Sequence, residues 1–405
     1  MPLNRSARTA SVPAALAALL CLATACGTDG GDGDGKQPAK SASTTPLAAS
    51  AVDLSGVCPE KIVVQGQWLP NTSSEGPVYR LLGPDPAIDA DAKSTTAALT
   101  AGGHDTGVDL EIRAGGPAIG FQPVSAQMYA DKSVTLGILG GFDESIQLSR
   151  SQPTLAVLAM LEKDPQMIFW DPKTYPQFAS IADIGTTDTT VLTFEGDTYV
   201  DYLIGAGILK KGQVDPSNEG SPARFVAEGG KIASAGYAVD DPYIYEKEVK
   251  EWGKPVKFQM LYDAGYPNYG PPLSIRPQDR AKLAPCLEKL VPLVQQAQVD
   301  FLADPLPTIE AVVRISEAYD SDEVFTRAIG EYSADRLKRL GIAANDAEGA
   351  DTTTGDFDER RVQRMIDLTK PVFAAQKKAL KENLAPSDLV TDEFIDPKIG
   401  YPGGS

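Results

Sequence analysis

Histidine is almost absent from this 405-residue chain, with His104 the only one. A Ser-His-Asp or Cys-His nucleophile would have to use it. It stands instead in the polar turn Ala101-Gly102-Gly103-His104-Asp105, and neither G-x-S-x-G nor S-x-x-K occurs, so no exposed, activated serine is indicated. H-E-x-x-H, paired C-x-x-C and a Walker phosphate loop are also missing, which removes the common zinc, redox and nucleotide-hydrolysis motifs. The sequence therefore names no catalytic residue, no metal ligand and no cofactor. Basic residues are scarce: 37 Lys and Arg face 55 Asp and Glu, for a net charge of -18. Nucleic acid and anionic lipid are poor partners for such a surface. After the first 25 residues no long apolar run appears, so no membrane-crossing helix is expected.

Arg5 and Arg8 precede an apolar run from Val12 to Leu22, which ends in Ala23-Thr24-Ala25-Cys26. The run of about 11 residues is too short for the roughly 20 that cross a bilayer and reads as a signal peptide. Small residues directly before Cys26 resemble a bacterial lipobox, in which the cysteine sulfur takes a diacylglycerol group. Two acyl chains suffice for stable attachment, so the expected location is the outer face of the cell membrane, held by N-terminal lipid alone. An ordinary cleaved signal with a chance cysteine is the alternative. Removing the leader deletes two Arg and no acids, taking the net charge from -18 to -20. Residues 27–57, rich in Gly, Asp, Ser and Ala, read as a flexible tether. Of four cysteines, Cys58 and Cys286 lie outside the export segment. Outside the cytosol such a pair is expected to be bridged, with two separate buried thiols as the alternative.

Ile62–Val64, Val108–Ile112, Val134–Leu139 and Val191–Phe194 read as strands, and Asp91–Ala101, Pro117–Ala130 and Thr198–Leu209 as helical segments between them. Alternation of this kind predicts an α/β fold with parallel sheet. Beyond residue 277, Asp279–Phe301, Thr308–Ala318, Asp322–Leu340 and Phe357–Leu380 carry apolar residues at helical spacing, with an exposed loop expected over Ala343–Thr354.

Three segments carry a family resemblance: Trp68-Leu69-Pro70-Asn71-Thr72 followed by Tyr79, Gly115-Gly116-Pro117-Ala118-Ile119-Gly120-Phe121-Gln122-Pro123, and Phe194-Glu195-Gly196-Asp197-Thr198-Tyr199. In order and spacing they resemble the solute-binding proteins that include receptors for the pyrimidine precursor of thiamine, with aliphatic-sulfonate, taurine and nitrate receptors as cousins. The resemblance implies a type II periplasmic-binding-protein fold: two lobes, a hinge of two crossings and a helical C-terminal part. Lobe 1 would comprise residues 58–182 and 264–405, and lobe 2 residues 183–263, with crossings near Ile181–Gly185 and Leu261–Gly265. Ligand would lie between the lobes, and an ABC permease would be the partner. The pyrimidine receptors often read Pro-Asn-Thr-Asn-His where this chain has Ser73, Ser74 and Glu75, a departure that weakens the pyrimidine assignment and counts against the enzymatic branch of the fold.

Loops expected to face the crevice supply Trp68, Asn71, Phe121, Gln122 and Tyr129, then Phe194, Glu195, Asp197, Tyr199, Asp240, Asp241 and Tyr243, then Tyr262, Asp263, Tyr266, Asn268 and Tyr269. The ligand-binding set taken from these is Trp68, Asn71, Gln122, Phe194, Glu195, Asp197, Tyr199, Asp241, Tyr266 and Tyr269. Aromatic rings offer stacking area, while amides and carboxylates fix orientation, which favours a planar nitrogen heterocycle. Glu195 and Asp197 near a helix start would oppose a sulfonate or nitrate. Each residue also has a plainer reading: capping for Glu195 and Asp197, core packing for Phe121 and Tyr129 eight apart on a helix, and turn packing for Tyr266 and Tyr269. Alternatives of other classes are a secreted carboxylate-based hydrolase and a surface lipoprotein that binds a protein.

Overall fold

A computed structural model describes residues 49–321, 324–347 and 351–402; Cys26 and most of the expected tether lie outside the described residues. The strands are β1 (Lys61–Gln65), β2 (Ala87–Asp89), β3 (Ser94–Ala101), β4 (His104–Arg113), β5 (Leu136–Ile138), β6 (Leu155–Ala159), β7 (Gln166–Trp170), β8 (Val191–Leu192), β9 (Val214–Asp215), β10 (Ala233–Tyr237), β11 (Lys257–Met260) and β12 (Pro272–Ile275). They form two sheets, ordered β2-β3-β4-β1-β5-β12-β6 and β11-β7-β10-β8-β9. In the first, β4, β1 and β5 run parallel, and β12 slots antiparallel between β5 and β6. A strand from after the excursion thus completes the sheet that the chain left at β6.

The crossings differ from the sequence expectation. β6 belongs to the first sheet and β7 to the second, so the chain changes lobe at Met160–Pro165, and Ile181–Gly185 is a short helix inside lobe 2. No helix separates β6 from β7, which removes the alternation that marks a boundary in sequence. The return runs through Leu261–Pro271, between β11 and β12. The two crossings lie side by side: Asp164 N–H donates to the Asn268 carbonyl at 3.2 Å, Gly270 N–H to that of Leu161 at 3.2 Å, and Met160 N–H to that of Pro271 at 3.3 Å.

Two further expectations need correcting. Ser94–Ala101 is strand β3, not helix, because the hairpin turn Gly102-Gly103, with φ of 56° and 81°, folds it antiparallel onto β4 in the conformation two-residue hairpins favour. The tether also ends earlier than residue 57. Val52 and Leu54 are fully buried, Leu54 N–H donates to the Thr106 carbonyl at 2.9 Å, and Lys289 Nζ reaches the Asp53 carbonyl at 2.7 Å. Cys58 and Cys286 form a disulfide that fixes this segment to the helix Arg280–Ala303.

The C-terminal helices Arg280–Ala303, Leu306–Tyr319, Arg327–Arg339 and Glu359–Ala375 do not belong to lobe 1 alone. Glu359–Ala375 packs on Thr198–Gly205 of lobe 2 as well as on Phe142–Gln147 of lobe 1, and Tyr332 of Arg327–Arg339 meets the Tyr243 ring, centroids 5.2 Å apart. Buried Ile329, Leu337, Val362, Met365 and Phe373 give these helices their inward faces. No described helix is long and apolar enough to cross a membrane.

Candidate functional site

Loops that follow β1 and β4 in one sheet and β8, β9 and β10 in the other come together at one place, the crevice between the two sheets. Loops at the carboxyl ends of strands carry the exposed backbone and side chains that bind ligands in α/β folds. The lobes touch across the crevice where Ser73 Oγ donates to Asp240 Oδ2 at 3.2 Å.

Its mouth is aromatic. Trp68 follows β1 and Phe121 follows β4, ring centroids 5.8 Å apart. A Cβ at Gly220, after β9, would lie 3.9 Å from Trp68 Cζ2 and 4.0 Å from Phe194 Cζ, so one ring from each lobe meets at this glycine, with Phe121 beside Trp68. Phe121 is 58% exposed and sits at φ 57°, a left-handed conformation uncommon for a bulky residue. The expected Pro117–Ala130 helix is broken here: Gly120 caps a short turn at φ 64°, Pro123 disfavours helix at Gln122, and a new helix runs over Val124–Ala130. Phe121 therefore shares no helical face with Tyr129, whose hydroxyl donates to the Pro153 carbonyl at 2.9 Å.

Its floor is acidic. Asp143 starts the helix after β5, Asp164 lies on the first crossing and Asp197 precedes the lobe 2 helix Thr198–Gly205. Asn268, on the return crossing and 1% exposed, donates from Nδ2 to Asp164 Oδ2 at 2.8 Å and Asp143 Oδ1 at 3.2 Å. Tyr266 donates to Asp143 Oδ2 at 2.7 Å. Burial raises all three carboxyls, Asp164 to about 8 and Asp197 to about 7; the Asp143 charge adds to the rise of both, and that of Asp197 to the rise of Asp164, as desolvated like charges do. Among the described residues no lysine or arginine offsets them. Oδ2 of Asp197 is buried without a partner, as is Oδ1 of Asn268. No group of three or more His, Cys, Asp or Glu among the described residues is arranged to hold a metal ion.

The sequence-derived set divides accordingly. Trp68, Phe194, Asp197, Tyr199 and Tyr266 gather at the crevice. Asn71 is engaged by its own loop, with Oδ1 accepting from the Ser73 and Ser74 amides at 3.0 and 3.2 Å and Nδ2 donating to the Leu69 carbonyl at 2.9 Å. Asp241 accepts from the Tyr237 amide at 2.6 Å and shapes the turn after β10. Tyr269 is core: its hydroxyl accepts from the Asp358 amide at 2.8 Å, and its ring packs edge-on against Phe142 and Phe357. Glu195 and Gln122 are exposed, the latter accepting from Gln127 at 3.0 Å. Sequence reasoning missed Asp143 and Asp164. The available signals were Gly140-Gly141 straight after an apolar strand, and Lys163-Asp164-Pro165 between two apolar runs. A surface groove of about 600 Å³ lined by Arg150, Pro277, Arg280, Lys381 and Asp388 lies by the amino end of β6, opposite the crossing, and shares none of these residues.

No protein-family model matches the sequence, and no curated protein does. Solved structures do match in fold. The periplasmic aliphatic sulphonate-binding protein from Escherichia coli aligns with a TM-score of 0.50 at 14% identity, over 86% of this chain and 95% of that one. A protein from Bordetella bronchiseptica RB50 aligns with a TM-score of 0.50 at 15% identity, over 83% of this chain and 96% of that one. The fold is that of a type II periplasmic-binding protein. In a periplasmic-binding-protein fold the crevice described above is the interlobe cleft.

Proposed function

We propose that this chain is an extracytoplasmic solute receptor that takes a small organic molecule between its lobes and delivers it to an ABC permease. The observation that carries the ligand class is the floor of Asp143, Asp164 and Asp197, with no base beside it, beneath the rings of Trp68, Phe121 and Phe194. Such a floor suits N–H donors and positive charge, and the rings suit a planar body. The favoured ligand is thus a planar nitrogen heterocycle, such as an aminopyrimidine, neutral or protonated. A sulfonate or nitrate would meet three acidic side chains, which repel it wherever they are ionised, and no guanidinium. Cys26 is the proposed lipid attachment site. Binding without turnover is expected of a receptor, whereas a carboxylate-based hydrolase would turn its ligand over.

The test is a thermal-shift screen of residues 45–405, unfolded and refolded to strip bound solute, against aminopyrimidines, other nitrogen heterocycles, sulfonates, nitrate, amino acids and sugars. A ligand at a hundred times its Kd adds about 2.7 kcal/mol, enough to move Tm by several degrees. A response confined to nitrogen heterocycles supports the reading, and small-angle scattering should then show a smaller radius of gyration with ligand. A sulfonate response keeps the receptor and overturns the ligand class. Turnover of any panel compound overturns the receptor.

A further inference from the structure

The helix Glu359–Ala375 delivers one guanidinium to both crossings. Arg361 is 3% exposed. Its Nη1 donates to Glu162 Oε1 at 2.5 Å and its Nη2 to the Glu162 carbonyl at 2.7 Å, both on the first crossing. On the return crossing, Nε donates to the Pro267 carbonyl at 2.8 Å and Nη2 to that of Asn268 at 2.9 Å. The group lies 3.6 Å from the centroid of the Tyr269 ring. Four acceptors on two chain segments match the fixed fork of an arginine, and no lysine could reach them together.

The acceptors include the peptide of a cleft residue. The Asn268 carbonyl takes Arg361 and the Asp164 amide, while its side-chain amide stands between the Asp143 and Asp164 carboxylates. Orientation of that amide is thus set from behind. We propose that Arg361 is the positioning residue of the cleft, holding the two crossings in register and so fixing Asn268 between the carboxylates. Arg361 does not itself reach the cleft acids. The inference rests on the cleft being a ligand site, but its test needs no ligand and fails separately from that reading.

The test follows the side-chain amide protons of Asn268 by ¹H–¹⁵N spectroscopy and hydrogen exchange in residues 45–405 and in Arg361→Lys and Arg361→Gln. Gln295 Nε2, bonded to the Thr354 carbonyl at 2.8 Å, and Gln213 Nε2, bonded to those of Ile184 and Thr189 at 3.0 Å each, are buried controls in the two lobes. Both variants should speed Asn268 exchange at least tenfold and leave the controls within twofold. Lysine should restore little, because it keeps the charge and lacks the fork. Unchanged Asn268 protection, or a loss shared equally with the controls, would overturn the proposal. Should neither variant fold, the wild-type protein still decides. The Arg361 Nε proton and the Asn268 amide protons should respond identically to low denaturant, and separate responses would overturn it.

Discussion

A carboxylate surrounded by protein, beside other carboxylates and away from any base, ionises at a cost to the fold. Asp197 comes close to that position: the residue is half-buried, its Oδ2 is buried without a donor, and desolvation raises it to about 7. The folded state binds the proton more tightly than the unfolded chain, so stability linked to Asp197 is present below about pH 4 and is lost as pH rises through 7. Asp197→Asn removes the charge and supplies N–H at the unpartnered position. The unliganded variant should melt about 1–3 °C above wild type at pH 8 and match it at pH 4, while its affinity for a protonated nitrogen heterocycle should fall tenfold or more. A lower melting point at pH 8 would show that the fold depends on the charge. Functional groups that cost stability are a familiar exchange in binding sites.

Elements were legible where their signal was local. Strands β1, β4, β5 and β8 and the four C-terminal helices follow from apolar spacing, and the crevice at the strand ends follows from them together with the family resemblance. What escaped was set by distant partners. Ser94–Ala101 is strand because β4 lies beside it, Tyr269 is occupied by Asp358 and Arg361 far along the chain, and Asp143 and Asp164 meet only because Asn268 returns between them. The segment before Cys58 shows the same dependence: its composition reads as tether, yet Val52 and Leu54 are buried. A chain beginning at Glu60 loses both side chains, worth roughly 1.5–3 kcal/mol each, and a cross-link worth about 5 kcal/mol at most. Its Tm should fall by roughly 5 °C or more relative to residues 45–405, and Cys58→Ser in the longer chain should give only part of that fall. Equal Tm values would mean the segment adds nothing.

Over the whole molecule the raised acids act together. Glu75 and Asp164 reach about 8, Glu162, Asp197 and Asp356 about 7, and Asp392 about 6, each chiefly through burial. Between pH 4 and 8 the folded chain retains protons that the unfolded chain releases, so stability falls as pH rises across that window. Asp131 and Asp215, held at about 2 by Arg113 and Arg224, work oppositely and lose their contribution as pH falls toward 2. Maximum Tm is therefore expected near pH 4 to 5, with a steady decline to pH 8, and calorimetry across that range checks it. A Tm that rises from pH 5 to 8 would mean that these acids are ionised at little cost.

The bridge between Cys58 and Cys286 also governs how the molecule bears tension. Their sequence separation of 228 takes in every strand of the second sheet and both crossings, so lobe 2 and the cleft hang inside a covalent ring. A pull applied through the N-terminal end runs along the chain to Cys58, passes across the sulfurs and continues from Cys286 toward the C-terminus. Inside the ring the lobes are loaded only through packing against the residues after Cys286, such as Arg361, and once those come away they carry none of it. Stretched between its ends by an optical trap, the oxidised protein should hide about 750–820 Å of extended chain that appears only in reductant.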